Sequence, residues 1–302
     1  MTRSLGLDLG GTNVKVAVLE ERTEAQPPML VASSTHATHA ERGPQGVVDR
    51  LIEIGRSAID EHGPIAQLGV GVPGLFDAEA GTIVLFPNLP GPWNGHPMRD
   101  PIANALGLPV TIINDARAFT LAEGTVGAGR GARTLVGITL GTGIGGGIMI
   151  NGRLHLGSFG RGGEIAHQIV LPDGPECGCG NRGCAEALAR ADVLAEMGGK
   201  ATAEEVYQGA EEGDERCRLA VDTAATYLGI ALANAVTLLG PDRIVIGGGI
   251  SNAGDLVLDP LRLAMRERVT LVDAAAIDIV PAELGAGAGA IGAALAGMFA
   301  GR

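Results

Sequence analysis

Two segments of this chain follow one pattern: a short apolar strand, a turn crowded with glycine, and a second apolar strand. The first is Leu5-Gly6-Leu7-Asp8-Leu9, then Gly10-Gly11-Thr12-Asn13, then Val14 to Leu19. The second is Leu135 to Leu140, then Gly141-Thr142-Gly143, then Gly145 to Ile150. Each reads as a hairpin with a glycine turn at its tip. Their recurrence points to an internal duplication and so to two lobes, for which 302 residues are ample. Apolar residues make up 46% of the chain but aromatic ones only 3%. The core must therefore be built from Val, Ile, Leu and Ala packed closely around glycine.

The rest of the chain alternates helical and strand patterns. Val47, Val48, Leu51, Ile52, Ile54, Ala58 and Ile59 keep a helical period until Gly63-Pro64. Leu68 to Val72 is a buried strand stopped at Pro73-Gly74, residues 75–100 read as loop, and Pro109 to Ile113 is a strand ending at Asn114-Asp115. Beyond an acidic stretch at 202–215 come a helix over Cys217 to Leu239, a strand over Arg243 to Ile246 that ends in Gly247-Gly248-Gly249, a short strand over Ile277 to Val280, and a closing Gly/Ala helix. This is an α/β pattern with helix-covered sheets. The expected division is a first lobe over 1–113, joined by the terminal helix 286–302, and a second over 114–285, with ligands in the cleft between them.

A net charge of −12 excludes a nucleic-acid-binding face, which needs clustered Lys and Arg. The strand-like start leaves no room for a signal peptide. Leu284 to Ala300 is too short and too rich in Gly and Ala to span a membrane. A cytoplasmic protein without nucleic-acid or membrane partners is the expectation.

Several residues carry chemistry. Glycines at Gly10, Gly11, Gly141 and Gly143 let backbone N–H groups approach phosphate oxygens, with Thr12, Asn13 and Thr142 adding neutral donors. Asp8, at a strand end, can hold magnesium through water. Asn114-Asp115 follows a strand, where either residue can cap a helix while its neighbour does chemistry. Cys177, Cys179 and Cys184 lie within eight residues. Three thiolates this close fit a structural zinc, and His167 is the nearby histidine for the fourth position. Disulfide pairing would leave one of the three over. Cys217 reads as a buried small hydrophobe. Glu164 and Glu186 flank the cluster and suit a polyhydroxylated ligand.

Together these residues resemble the ROK family of bacterial sugar kinases and sugar-responsive repressors. The resemblance rests on Asp8 to Asn13, Gly71 to Gly74, Pro87-Asn88-Leu89, Asn114-Asp115-Ala116, Leu140 to Gly147, Glu164 to His167, the cysteine run with Glu186, and Ile246 to Gly249. It implies the two-lobed actin-like, ribonuclease-H-like ATPase fold, with a structural zinc. It implies an ATP site at Asp8, Gly10, Gly11, Thr12, Asn13, Lys15, Gly141, Thr142 and Gly143, with Gly247, Gly248 and Gly249 near the adenosine. It implies a sugar site at Gly74, Asn88, Asn114, Asp115, Glu164, His167 and Glu186, with Asp115 as catalytic base. Zinc would be held by His167, Cys177, Cys179 and Cys184, with the second ring nitrogen of His167 facing the sugar. The implied activity is ATP- and Mg2+-dependent phosphorylation of a hexose, glucose first, by a homodimer. Mannose, fructose, N-acetylglucosamine and N-acetylmannosamine are the other acceptors, and polyphosphate is the other donor. The family's repressors carry an N-terminal helix-turn-helix module that has no counterpart before the first hairpin. One position departs from the family pattern: Ala166 stands where Glu-x-Gly-His has glycine.

Overall fold

The computed structural model describes residues 2–23, 26–158 and 160–300, with only the backbone at residue 252. The chain divides into two compact units, one formed by Met1–Val126 with Ala286–Arg302 and the other by Gly127–Gly285.

The first unit is built on a mixed sheet. Its strands are β1 (Arg3–Leu9), β2 (Asn13–Glu20), β3 (Met29–Ala37), β4 (Gln67–Val72) and β7 (Val110–Asn114), in the order β3-β2-β1-β4-β7. β1, β2 and β3 are antiparallel, and β4 and β7 run parallel to β1. A small hairpin, β5 (Leu75–Asp77) with β6 (Thr82–Leu85), lies in the segment whose Pro, Asn and Gly content reads as loop. Strand alternation sorts the two faces of the sheet. Leu5, Leu7 and Leu9 with Val14, Val16 and Val18 pack against Val47, Val48, Leu51 and Ile54 of α1 (Gly43–His62). Helix α2 (Arg99–Leu106) adds Ile102 to this core, and α3 (Asp115–Val126) follows β7 directly.

The second unit repeats the plan. β8 (Thr134–Leu140), β9 (Ile144–Ile150), β10 (Arg153–Leu154), β11 (Arg243–Gly247) and β12 (Asp278–Pro281) are ordered β10-β9-β8-β11-β12. The sequence of antiparallel and parallel pairings is the same. The helices are α4 (Ala185–Ala189), α5 (Ala191–Gly198), α6 (Ala203–Glu212), α7 (Glu215–Leu239) and α8 (Asp255–Arg266). The acidic stretch is therefore mostly helix. Thr202 caps α6 by accepting from Glu205 N–H, and Asp214 caps α7 by accepting from Arg216 and Cys217 N–H. Helix α7 is long and apolar enough to cross a membrane, but its residues from Cys217 to Val236 supply much of this unit's core. Cys217 is fully buried there.

The last helix, α9 (Ala288–Phe299), returns to the first unit. Its small residues let backbones meet. A Cβ on Gly69 would lie 1.7 Å from the Ala293 oxygen, and one on Gly292 would lie 1.8 Å from the Ala118 oxygen. Helix α9 is thereby packed against β4 on one side and α3 on the other. This packing places α3 in the first unit, so the observed division falls after Val126 and not at residue 113.

Candidate active-site groups

In the first unit the candidate side chains gather at the ends of β1 and β7. The glycine turn after β1 is closed by Gly10 N–H donating to the Asn13 oxygen at 2.9 Å, and Thr38 Oγ1 donates to the Gly10 oxygen at 2.7 Å. Gly11, Thr12 and Asn13 remain exposed. A Cβ on Gly11 would come within 3.1 Å of the Asn88 oxygen, so the Asn88 backbone lies against this turn. Lys15 pairs across the hairpin with Asp8.

The second cluster of this unit is built around Asn114. Its Oδ1 accepts from Ala116 N–H at 3.1 Å and Arg117 N–H at 3.3 Å, capping α3. Its Nδ2 donates to the Gly74 oxygen at 3.3 Å and to Asp115 Oδ1 at 3.0 Å. Asn114 thus ties the turn at Gly74 to the neighbouring carboxylate. Gly74 itself has φ 86°, and a Cβ there would lie 2.3 Å from the Leu85 oxygen, so no other residue fits. Asp115 is reached by water but densely surrounded by protein. That burial, reinforced by the negative charge of Asp8, raises its pKa to about 6. Burial also raises Asp8, partly offset by Lys15. Two carboxylates that disfavour each other's charge are a donor set that a hard divalent cation stabilises. The residues present therefore fit magnesium.

In the second unit the glycine turn after β8 is closed by Gly141 N–H donating to the Gly143 oxygen at 3.0 Å. A Cβ on Gly248 would lie 2.2 Å from the Leu140 oxygen, which presses the loop after β11 against the foot of this turn. Sequence reasoning gives no sign of the next contact. Glu186 Oε2 accepts from Ile144 N–H at 2.9 Å, so the residue after the turn is held by the helix that follows the cysteines.

His167, Cys177, Cys179 and Cys184 form one cluster, with donor atoms all within 4.8 Å of one another. Cys179 Sγ is 3.6 Å from Cys184 Sγ, and Cys177 Sγ is 3.6 Å from His167 Nδ1. A tetrahedron with Zn–S bonds of about 2.3 Å has edges of about 3.7 Å, whereas a disulfide needs about 2.05 Å. All four cysteines are free. Burial pushes the Cys184 thiol up to about 12, a strain that a coordinated cation removes. The donor set therefore fits zinc. His167 presents Nδ1 to this cluster, while Nε2 lies 3.9 Å from Glu164 Oε2. Glu186 Oε1 lies 3.6 Å from Cys177 Sγ. Ala166 is 2% exposed and belongs to the hydrophobic core of this unit, so its methyl group is accommodated in the interior.

The pattern of the ROK family matches residues 4–297. A glucokinase from Thermotoga maritima is 35% identical over 310 residues, covering 96% of this chain and 95% of its own length. Two solved structures share the fold. A ROK hexokinase from Thermus thermophilus has TM-score 0.86 and 34% identity over 99% of both chains. A ROK glucokinase from Streptomyces griseus, solved with glucose and AMPPNP, has TM-score 0.80 and 30% identity over 98% of this chain and 99% of its own.

Proposed function

The chain belongs to the ROK family, and we propose that it transfers the γ-phosphoryl group of ATP to the 6-hydroxyl of a hexose, glucose being the preferred acceptor. One observation carries this reading. The likeness to glucokinases runs nearly the length of the chain, and in support of it the chain holds a water-accessible carboxylate, Asp115, whose pKa burial raises to about 6. Such a group is ionised at neutral pH yet basic enough to take a proton.

In the proposed reaction Asp115 accepts the proton of the 6-hydroxyl as its oxygen attacks the γ-phosphorus. The bond from that phosphorus to the β–γ bridging oxygen breaks, and ADP leaves. Asn114 fixes the carboxylate through its contact with Oδ1. The turn amides at Gly10 to Asn13 and at Gly141 to Gly143, with Lys15, hold the phosphates, and the loop Gly247 to Gly249 takes the adenosine side. Gly74, Asn88, Asn114, Glu164, His167 and Glu186 take the sugar. Transfers of this kind depend chiefly on positioning and electrostatics. Magnesium held by Asp8 through water would neutralise phosphate charge. Zinc at His167, Cys177, Cys179 and Cys184 would have no open position and would serve to order the segment that carries both glutamates. A cytoplasmic homodimer completes the reading.

A coupled ADP-release assay across glucose, mannose, fructose, N-acetylglucosamine and N-acetylmannosamine tests it. Glucose should give the highest kcat/KM. A higher value for an N-acetylated hexosamine would reassign the acceptor, and no sugar-dependent ADP release with any of them would overturn the activity.

A further inference from the structure

The face of β1 opposite its leucines runs along α9. Ser4 Oγ donates to the Ala294 oxygen at 2.7 Å, and a Cβ on Gly6 would lie 2.0 Å from the Ala290 oxygen. Two residues further, Asp8 reaches the first turn of α9. A Cβ placed on Gly289 would lie 2.4 Å from Asp8 Oδ2, 2.6 Å from Cγ and 3.0 Å from Oδ1. All three of these atoms belong to one carboxylate group.

Other glycines of this helix make room for backbone: Gly292 for the Ala118 carbonyl and Gly297 for Gly69 and Leu68. What Gly289 makes room for is a functional group. Backbone conformation does not call for glycine at this position. Its φ is not in the left-handed region, and its neighbours on both sides, Ala288 and Ala290, are the residue helices favour most. The end of α9 has no side-chain cap and no acidic residue in its first turn. The Asp8 carboxylate therefore brings negative charge to this N-terminus from a neighbouring strand, where the helix dipole favours it.

We propose that Gly289 is a positioning residue: its missing side chain lets the Asp8 carboxylate seat against the first turn of α9, in the orientation from which it holds the magnesium of the nucleotide. The seat rests on packing within one unit, and its use for magnesium rests on the kinase reading above.

The test compares Gly289→Ala in the wild-type chain and in an Asp8→Ala background, where the atoms struck by the new methyl group are gone. In the wild-type chain, alanine's helix preference is offset by the collision, so the melting temperature should stay level or fall. In the Asp8→Ala background the same change should raise it by about 2 °C. Calorimetry supplies the second readout. With magnesium present, AMPPNP affinity should fall about tenfold in Gly289→Ala, as for loss of a group that orients a metal ligand. Without magnesium it should match the wild type, and glucose affinity should not change. Equal melting shifts in the two backgrounds would overturn the proposal, as would unaltered magnesium-dependent AMPPNP affinity in the variant. A wild-type chain that fails to bind AMPPNP in magnesium would instead sink the kinase reading, leaving the melting comparison to decide the seat.

Discussion

In the first unit the hairpin β1–β2 closes on Leu9 opposite Val14 and sets Asp8 opposite Lys15; in the second, β8–β9 closes on Leu140 opposite Ile144 and sets Thr139 opposite Gly145. Strand order and direction are otherwise the same. The first hairpin thus carries charge at the position where the second is neutral. Burial raises Asp8 against the pull of Lys15, and it likewise raises Asp115, to which the negative charge of Asp8 adds. The second unit keeps its hairpin uncharged and adds the cysteine-bearing segment after β10, which it binds back to the turn through Glu186 and Ile144. One scaffold therefore supports two kinds of order. In the first unit, packing fixes partly desolvated carboxylates; in the second, His167, Cys177, Cys179 and Cys184 gather a glycine-rich segment into one cluster.

If the reacting chemistry belongs to the first unit, Asp115→Asn breaks it most severely. The amide is nearly isosteric but cannot take the proton, so kcat should fall by about 10²–10⁴. Glucose affinity measured by calorimetry should stay close to that of the wild type. Wild-type turnover in this variant would remove Asp115 from the mechanism.

Cys179→Ser probes the other unit, with a smaller expected effect. Elemental analysis should find one zinc per wild-type chain and less in the variant. Glucose KM should rise by about tenfold, the usual scale for disturbing groups that support a site. The KM for ATP should rise less, because the disturbance reaches the glycine turn only indirectly, through hydrogen bonds from Ile144 N–H to Glu186 and from Ala191 N–H to the Gly141 oxygen. Full activity in a zinc-free protein would refute the arrangement.

The parts of this design legible in the sequence are those whose causes are local. Apolar strands broken by glycine runs announce both hairpins, and the cysteine spacing with His167 announces the cluster, because all four ligands come from one short stretch. The hairpin β5–β6 is hidden because turn residues outnumber its apolar ones. Helix α6 is hidden because its polar face gives it the look of an acidic linker. The place of α3 was not legible at 113 because it depends on Gly292 of α9, far along the chain. Gly289 is obscured for the same reason. Within the run Gly285-Ala286-Gly287-Ala288-Gly289, nothing local marks the one glycine that faces a carboxylate.

The pH profile of the rate with glucose and magnesium–ATP both far below saturation reads the central claim most directly, because it reports the ionisation of the free enzyme. Burial and Asp8 raise Asp115 to about 6, so the base is ionised above that pH and protonated below it. The account predicts a plateau at pH 7 and above, a midpoint near 6, and a fall of about tenfold per pH unit on the acid side. A profile that stays flat down to pH 5 would contradict it.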